Sequence, residues 1–305
     1  MITDFEVTIL GNTSSIPVHG RHHTAQVVRF GQDFLLLDCG EAMQLQARAF
    51  KIKVSKINHI FISHLHGDHY YGLIGLLSSY SLGKRTTPLH IYGPKGLDDI
   101  ITTNFRYSNT KLPFPLHFIE TKDNGLNLLL DEKKYAIYSF PLKHRLPTTG
   151  FLIREKVGLR SMVKEKLQKA PLPYEAIKSL RDGKHFTDEN GKTYSVEEFT
   201  HPLPALRSYA YCSDTIFHPE LKAYLENVDL LYHESTFMED NLERAKTTFH
   251  STAKQAAEIA KLSQVKRLLL GHFSSRYTQL DPLLHEAQSV FPNSILSEEG
   301  QTYAL

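Results

Sequence analysis

The sequence contains no tryptophan, only two cysteines and no long apolar run. Cys39 and Cys212 are too few for a disulfide framework, so the sequence predicts a reduced, cytoplasmic protein and excludes the small disulfide-stapled class. No stretch approaches the roughly 18 consecutive apolar residues of a membrane-spanning helix, and we therefore expect no membrane partner. Residues 1–6 include two acids where a secretion signal would carry Lys or Arg, which predicts that no such signal is present.

What is present is an ordinary globular composition. The 305 residues are 41% hydrophobic and 22% charged, which excludes disordered, fibrous and collagen-like chains. This length is enough for one domain or two. The net charge of +2 is too small to indicate or exclude a nucleic-acid partner, so its distribution along the chain is more informative than its sum.

Strand-like runs alternate with amphipathic stretches from one end of the chain to the other. Strands are predicted at 5–10, 25–30, 33–38, 58–63, 89–92, 116–120, 125–131, 135–142, 150–154, 208–213, 229–233 and 267–271. Helices are predicted at 70–82, 95–106, 252–262 and 282–290, with Ser251 capping the third. The four strands between 116 and 154 resemble a meander. Early strands joined by hairpins and later strands separated by helices predict an α/β sandwich, not a single parallel sheet.

The segment 154–204 interrupts this alternation. Between 154 and 186 nine Lys and Arg residues stand against four acids, an excess of five where the whole chain has an excess of two. Basic residues interleaved with apolar ones predict an inserted arm that binds a phosphate backbone. The alternative is a pair of solvated, charged helices.

The strongest local signal is the run Ser63-His64-Leu65-His66-Gly67-Asp68-His69. At the end of a strand, His64 and His66 point the same way because side chains repeat every two residues. After the turn at Gly67, Asp68 and His69 open a helix, so four ligand-type side chains converge on one point. Imidazole and carboxylate groups suit zinc and similar divalent ions. A solvated histidine-rich loop is the alternative.

Three more candidate ligands follow predicted strands: His144, Asp214 and His272. Open α/β folds place their sites at the carboxyl ends of strands. Each residue taken alone could equally be a surface or structural residue. The four ligands in the first motif could all bind one ion. Whether the site holds a second ion therefore depends on these three residues.

Taken with these residues, several short motifs carry a resemblance to a known family. They are Asp38-Cys39-Gly40-Glu41, Tyr92-Gly93-Pro94-Lys95-Gly96, Ser213-Asp214-Thr215, His233-Glu234-Ser235-Thr236-Phe237 and His250-Ser251-Thr252. The chain resembles the metallo-β-lactamase superfamily and, within it, the short-form ribonuclease Z family, over essentially its whole length. The resemblance implies a four-layer αββα sandwich, a single domain over 1–305, with a protruding exosite arm at 154–204.

The resemblance also implies a site and a reaction. Two zinc ions per subunit are expected, one held by His64, His66 and His144, the other by Asp68, His69 and His272, with Asp214 between them. Asp68 would act as general base, His250 as proton donor and Glu234 as the residue that orients His250. The reaction implied is removal of the 3′ trailer from precursor tRNA by a metal-bridging hydroxide, leaving a 3′-hydroxyl on the tRNA and a 5′-phosphate on the trailer. Without the resemblance, His250 is as readily a surface residue at a helix entry, and Glu234 a salt-bridge partner.

The implied partners are precursor tRNA and a second copy of the chain, whose arm would hold the tRNA cut by the first. Arg21, His22 and His23 are candidates for contacts to phosphates of the tRNA acceptor end. Two alternative functions stay open at this point. One is a small-molecule phosphodiesterase or other hydrolase of the same superfamily, and the other is a non-enzymatic RNA-binding module with a relic metal site.

Overall fold

The computed structural model describes residues 4–169 and 171–305. Residues 1–3 and residue 170 lie outside the described residues. The first three belong to the segment on which the secretion-signal prediction depends, and residue 170 belongs to the predicted insertion. The chain divides into two compact units. The first consists of the chain up to Asp131, Ile137–Ile153 and Arg207–Leu305, and the second of Glu132–Ala136 and Arg154–Leu206.

The strands and helices alternate as the hydrophobic pattern predicts. The strands are β1 (Phe5–Gly11), β2 (Ala25–Phe30), β3 (Asp33–Cys39), β4 (Ile57–Phe61), β5 (Leu89–Gly93), β6 (Leu116–Glu120), β7 (Asn127–Asp131), β8 (Tyr135–Leu142), β9 (Thr148–Glu155), β10 (Phe186–Thr187), β11 (Thr193–Tyr194), β12 (Ser208–Cys212), β13 (Leu230–Glu234), β14 (Arg267–Gly271), β15 (Ser294–Leu296) and β16 (Thr302–Ala304). The helices are α1 (Met43–Ala49), α2 (Gly67–Leu82), α3 (Leu97–Tyr107), α4 (Lys164–Lys169), α5 (Tyr174–Arg181), α6 (Val196–Phe199), α7 (Lys222–Leu225), α8 (Leu242–Thr248), α9 (Ala253–Leu262) and α10 (Asp281–Gln288).

Two seven-stranded sheets form the centre of the first unit. The first sheet has the order β16-β1-β2-β3-β4-β5-β6 and the second β15-β14-β13-β12-β9-β8-β7. Strands β16 to β3 pair antiparallel, whereas β3 to β6 and β12 to β15 pair parallel. Parallel neighbours end at the same edge of their sheet, and this brings the loops that follow them together.

The two sheets face each other and helices cover their outer faces. Phe61 of β4 packs edge-to-face on Phe151 of β9 at 5.5 Å between ring centroids. Helices α1 to α3 bury apolar residues against the first sheet, and α7, α9 and α10 against the second. These four layers confirm the predicted αββα sandwich.

Helix α2 carries part of the predicted metal motif, and its packing is close. Its buried residues include Leu73, Leu76, Leu77 and Tyr80, spaced three and four apart as one face of a helix requires. Gly72 lies so near the turn after β3 that a Cβ atom there would be 2.2 Å from the carbonyl oxygen of Gly40. This contact sets the position of the first turn of α2 relative to the first sheet.

The second unit has a small core of its own. Leu180, Val196 and Phe199 are buried together, with Met162, Leu172 and Tyr194 packed against them. Strands β10 and β11 form an antiparallel hairpin. The predicted insertion, 154–204, lies within this unit, and its role as an RNA-binding arm stays a prediction.

Two details of the predicted fold are wrong. Strand β6 does not join β7, β8 and β9 in a meander, because it pairs with β5 in the first sheet while the other three lie in the second. The cap of α9 is Thr252, not Ser251: its side chain accepts from the Gln255 backbone N–H and forms a capping box.

Among the described helices, none is both long and apolar enough to cross a bilayer.

Candidate metal centre

The seven predicted ligands come from four separate segments of the first unit. His64 and His66 follow β4, and Asp68 and His69 lie in the first turn of α2. The remaining three, His144, Asp214 and His272, follow β8, β12 and β14 within two residues. The structure brings all seven to one place, as the positions of these residues after strands predict.

The first group contains three histidines and one carboxylate oxygen. His66 Nδ1 lies 2.9 Å from His64 Nε2 and 3.2 Å from His144 Nε2. Asp214 Oδ2 lies 3.5 Å from His64 Nε2 and 3.7 Å from His144 Nε2. The four atoms lie within 4.8 Å of one another, so one cation could contact all of them.

The second group lies on the other side of Asp214. Asp68 Oδ2 is 3.4 Å from both His69 Nε2 and His272 Nε2. Asp214 Oδ1 is 3.3 Å from His69 Nε2 and 3.1 Å from His272 Nε2. The two oxygens of Asp214 therefore face different groups, which is the arrangement needed for a carboxylate shared between two cations.

The buried ring nitrogens of the second group test whether a cation fits. His69 Nε2 and His272 Nε2 are buried and have no hydrogen-bond partner among residues 4–169 and 171–305. The opposite nitrogens are held: His69 Nδ1 lies 2.7 Å from Asp38 Oδ2, and His272 Nδ1 lies 2.9 Å from Thr236 Oγ1. An acceptor at Nδ1 keeps a ring proton there, so Nε2 is the nitrogen of each ring that can bind a cation. The residues therefore fit a cation that takes nitrogen and oxygen ligands.

His144 is fixed in the same way from a different part of the chain. Its Nδ1 lies 2.8 Å from the carbonyl oxygen of Phe249. Phe249 ends α8 in the left-handed region at φ 59°, a conformation that a bulky residue rarely adopts. That turn directs the carbonyl towards His144 and brings the next residue, His250, to the site.

The histidines of the first group are in the form that binds cations. Burial, reinforced by His69, lowers the pKa of His64 to about 4. Burial also lowers the pKa of His66 and of His144. These three rings are therefore neutral at neutral pH, as metal ligation requires. His69 differs, because Asp214 and Asp68 raise its pKa in spite of burial, so that a cation would displace a proton there.

The two carboxylates of the site are held ionised. Burial raises the pKa of both carboxyls. His69 and His272, which contact both Asp68 and Asp214, act in the opposite direction. Together they hold the pKa of both carboxyls well below the usual range. Both side chains are therefore available as anionic ligands.

Asp38 is a functional residue to which the sequence analysis assigned no role. It is fully buried at the end of β3 with φ 53°, and its carboxylate accepts four hydrogen bonds. The donors are Ser63 N at 2.7 Å, Ser63 Oγ at 2.8 Å, His69 Nδ1 at 2.7 Å and Tyr211 OH at 2.6 Å. The signal that could have identified it is an ionisable residue that directly follows four apolar residues of a strand, since a buried charge requires partners.

His250 and Glu234 form a pair beside the seven residues. His250 Nδ1 lies 2.8 Å from Glu234 Oε1, and His250 Nε2 lies 4.0 Å from Asp214 Oδ2. Glu234, the last residue of β13, is fully buried and also accepts from Thr215 N and from the Thr236 hydroxyl. Burial opposes protonation of His250, but Glu234 and the other carboxylates raise its pKa to about 9. The imidazolium can therefore persist at neutral pH with Nε2 as a proton donor.

The N-terminal loop residues with predicted phosphate contacts have hydrogen-bond partners within the first unit. Arg21 Nη2 donates to the carbonyl oxygen of Tyr277 at 2.6 Å, and His22 Nδ1 lies 2.7 Å from Glu299 Oε2. These side chains tie their loop to neighbouring segments of the first unit. The contacts of Arg21, His22 and His23 to tRNA phosphates stay a prediction.

Comparison with known proteins first defines the class. Residues 5–105 match the family model described as anti-Pycsar protein Apyc1. The metallo-beta-lactamase fold protein YhfI from Bacillus subtilis superposes with a TM-score of 0.70 at 19% identity, covering 99% of this chain and 100% of that one. With its two sheets, flanking helices and His/Asp centre, the protein is a member of the metallo-β-lactamase fold class.

Closer relatives define the family. The chain is 42% identical to ribonuclease Z of Parabacteroides distasonis over 299 residues, which cover 98% of each chain. The short form of human tRNase Z superposes with a TM-score of 0.72 at 29% identity, again over 98% of each chain. This chain belongs to the ribonuclease Z family.

Proposed function

We propose that the protein is a metal-dependent endoribonuclease that removes the 3′ trailer from precursor tRNA, leaving a 3′-hydroxyl on the tRNA and a 5′-phosphate on the trailer. The observation that carries the proposal is the division of Asp214 between two histidine groups, with the His250–Glu234 pair at their side. Family membership supports the substrate, since the Parabacteroides relative is named ribonuclease Z.

The proposal gives each group of the site a cation, and zinc suits the nitrogen and oxygen atoms present. His64, His66 and His144 would hold one zinc ion, Asp68, His69 and His272 the other, with Asp214 shared. Bound there, the two ions supply Lewis acidity that lowers the pKa of water towards about 7 and offsets charge on the phosphate. Elemental analysis of the purified protein should give two zinc ions per chain, and fewer than one would contradict this part of the proposal.

The protein's own residues position the proton transfers. Asp68, ionised and 10% exposed, would orient the attacking water and accept its proton. The Nδ1 proton of His250 is held by Glu234, which leaves Nε2 to donate to the departing 3′-oxygen. Glu234 itself cannot turn away, because backbone and hydroxyl donors occupy both of its oxygens.

The second unit supplies the candidate contact to the rest of the tRNA. The excess of five positive charges between 154 and 186 would bind phosphates and make binding sensitive to salt.

The proposal includes a homodimer in which this arm of one copy holds the tRNA cut by the other. Light scattering on the purified protein should give twice the chain mass, and a monomer would contradict the dimer without touching the activity. The free, buried cysteines suit the cytoplasmic setting that the proposal includes.

The experiment is cleavage of a precursor tRNA that carries a 3′ trailer, with both product ends mapped. Wild-type protein loaded with zinc should release an intact trailer with a 5′-phosphate. Asp68→Ala should abolish cutting and leave RNA binding largely intact, because the substitution removes a ligand and not a basic surface. Asp98→Ala is the matched control, since Asp98 also lies in the first turn of a helix after a parallel strand but is exposed.

Absence of cleavage by the zinc-loaded wild type would contradict the proposal. Hydrolysis of a small phosphodiester without cleavage of any precursor tRNA would instead favour the small-molecule alternative. Binding of RNA with less than one zinc ion per chain and no hydrolysis would favour a non-enzymatic module.

A further inference from the structure

Arg276 is a surface arginine whose guanidinium group has three contacts within the first unit. It lies in the loop after β14, four residues beyond His272. Its Nη1 donates to Asn241 Oδ1 at 2.7 Å, and its Nε donates to Ser274 Oγ at 3.3 Å. Its guanidinium carbon lies 5.1 Å from the centroid of the Phe237 ring. Three contacts therefore hold the guanidinium group in one orientation although the side chain is exposed.

All three of these partners are neutral, so none of them offsets the charge of Arg276. In the described part of the chain no carboxylate oxygen forms an ion pair with it, whereas Arg29 has two such partners, Asp4 and Glu6. Asn241 is held in turn, because its amide nitrogen donates to Asp240 Oδ1 at 2.7 Å. A fixed, unneutralised guanidinium is suited to binding an external anion, and its fork geometry matches phosphate.

The ring of Phe237 connects this cation to the proposed proton donor. Phe237 is buried, and its ring centroid lies 6.1 Å from that of His250. The guanidinium lies against the same ring, 5.1 Å from its centroid. One cation-to-ring contact and one ring-to-ring contact thus connect Arg276 to His250 through Phe237. The cation therefore lies near the group to which the proposed function assigns the departing oxygen.

We infer that Arg276 binds a backbone phosphate of the RNA on the tRNA side of the cleaved bond, next to the nucleotide that keeps the 3′-hydroxyl. The inference rests on the proposed function, because it takes His250 as the group that faces the departing 3′-oxygen. Phe237, Asn241 and Ser274 are then positioning residues that hold the cation ready, so that little side-chain entropy is lost when the phosphate binds.

The test is equilibrium binding in a background that cannot cleave. Fluorescence anisotropy gives the Kd of a precursor tRNA for Asp68→Ala and for the double variant Asp68→Ala, Arg276→Ala, between about 50 mM and about 200 mM salt. The double variant should bind about tenfold more weakly at the lower salt, as expected for one charged hydrogen-bonding contact. The slope of log Kd against log salt should be smaller by about 0.7, the value for one phosphate contact on a single strand. Arg276→Lys should keep the slope and lose part of the affinity, because it keeps the charge but not the fork.

Arg106→Ala is the matched control in the same background. Arg106 also lies over an aromatic ring, that of Tyr107 at 5.4 Å, and also donates to a hydroxyl, that of Thr103. It lies in the last turn of α3, at the opposite end from the site, so both Kd and slope should stay unchanged.

Two other outcomes of the binding comparison contradict the inference in an identifiable way. An unchanged slope with a lowered melting temperature would assign Arg276 a purely structural role. A trailer-free tRNA whose Kd is unaffected by Arg276→Ala would overturn the assignment to the tRNA side. Absence of cleavage by wild-type protein would overturn the proposed function alone, since the binding comparison does not depend on cutting.

Discussion

Replacing Asp38 by Asn tests how the buried carboxylate supports the centre. The substitution keeps the shape of the side chain, and Asn tolerates the left-handed backbone found at this position. It exchanges one acceptor oxygen for an NH₂ group in a place where all four contacts come from donors. Whichever way the amide turns, at least one buried donor faces another donor.

The magnitude follows from the contacts that are lost. An unmatched buried donor costs about 1–3 kcal/mol, so the free energy of unfolding of the metal-free protein should fall by about that amount. The ring of His69 also loses the acceptor that fixes its Nδ1 proton. Loss of such a partner typically weakens metal binding by about 10- to 100-fold.

Two assays separate these effects. Denaturant unfolding of the metal-free protein measures stability, and competition with a chromophoric chelator measures zinc affinity. Asp33→Asn is the matched control, because Asp33 begins the same strand but is exposed, and it should leave both quantities unchanged. An Asp38→Asn protein that binds zinc as tightly as wild type would refute the argument that Asp38 orients His69.

Two further predictions concern packing and pH. Gly72→Ala should lower the free energy of unfolding by about 1–3 kcal/mol, because its Cβ would lie 2.2 Å from the backbone oxygen of Gly40. Gly75→Ala in the same helix meets only a flexible side chain and should be neutral or stabilising. Equal losses of stability for the two variants in denaturant unfolding would contradict the reasoning. Burial and the neighbouring His90 lower the pKa of His59 to about 4, against about 6.5 in an unfolded chain. Below pH 6.5 the unfolded chain then binds more protons, so this residue contributes a loss of stability as the pH falls towards 4. His59→Gln should remove about 1–2 kcal/mol of that loss, after allowance for partial exposure, and parallel stability–pH profiles for variant and wild type would contradict it.

The sequence alone was sufficient to predict candidate site residues where the pattern that marks them is local. The run from His64 to His69 places four ligand-type groups within six residues, and strand and helix periodicity determines which way they point. Strand ends likewise predicted Asp214 and His272, because the parallel strands β12 and β14 bring their carboxyl ends to one edge of the sheet. His144 was predicted from the same kind of position, since it follows β8 by two residues. For His250 and Glu234 the residues left structural alternatives open, and the resemblance to a family was needed.

Only the tertiary structure decided which distant groups share one environment. Asp38 acquires its role from residues 25, 31 and 173 positions away in the chain, and no periodicity in the sequence reports such a contact. The assignment of β6 to the first sheet, and the existence of the three-residue strands β15 and β16, depend on pairing with partners that local pattern does not specify. The orientation of Arg276 is of the same kind, since Asn241 and Phe237 reach it from another loop. Hydrophobic spacing determines local structure and the face that is buried, whereas hydrogen bonds and charges between remote segments take effect only after the layers have packed.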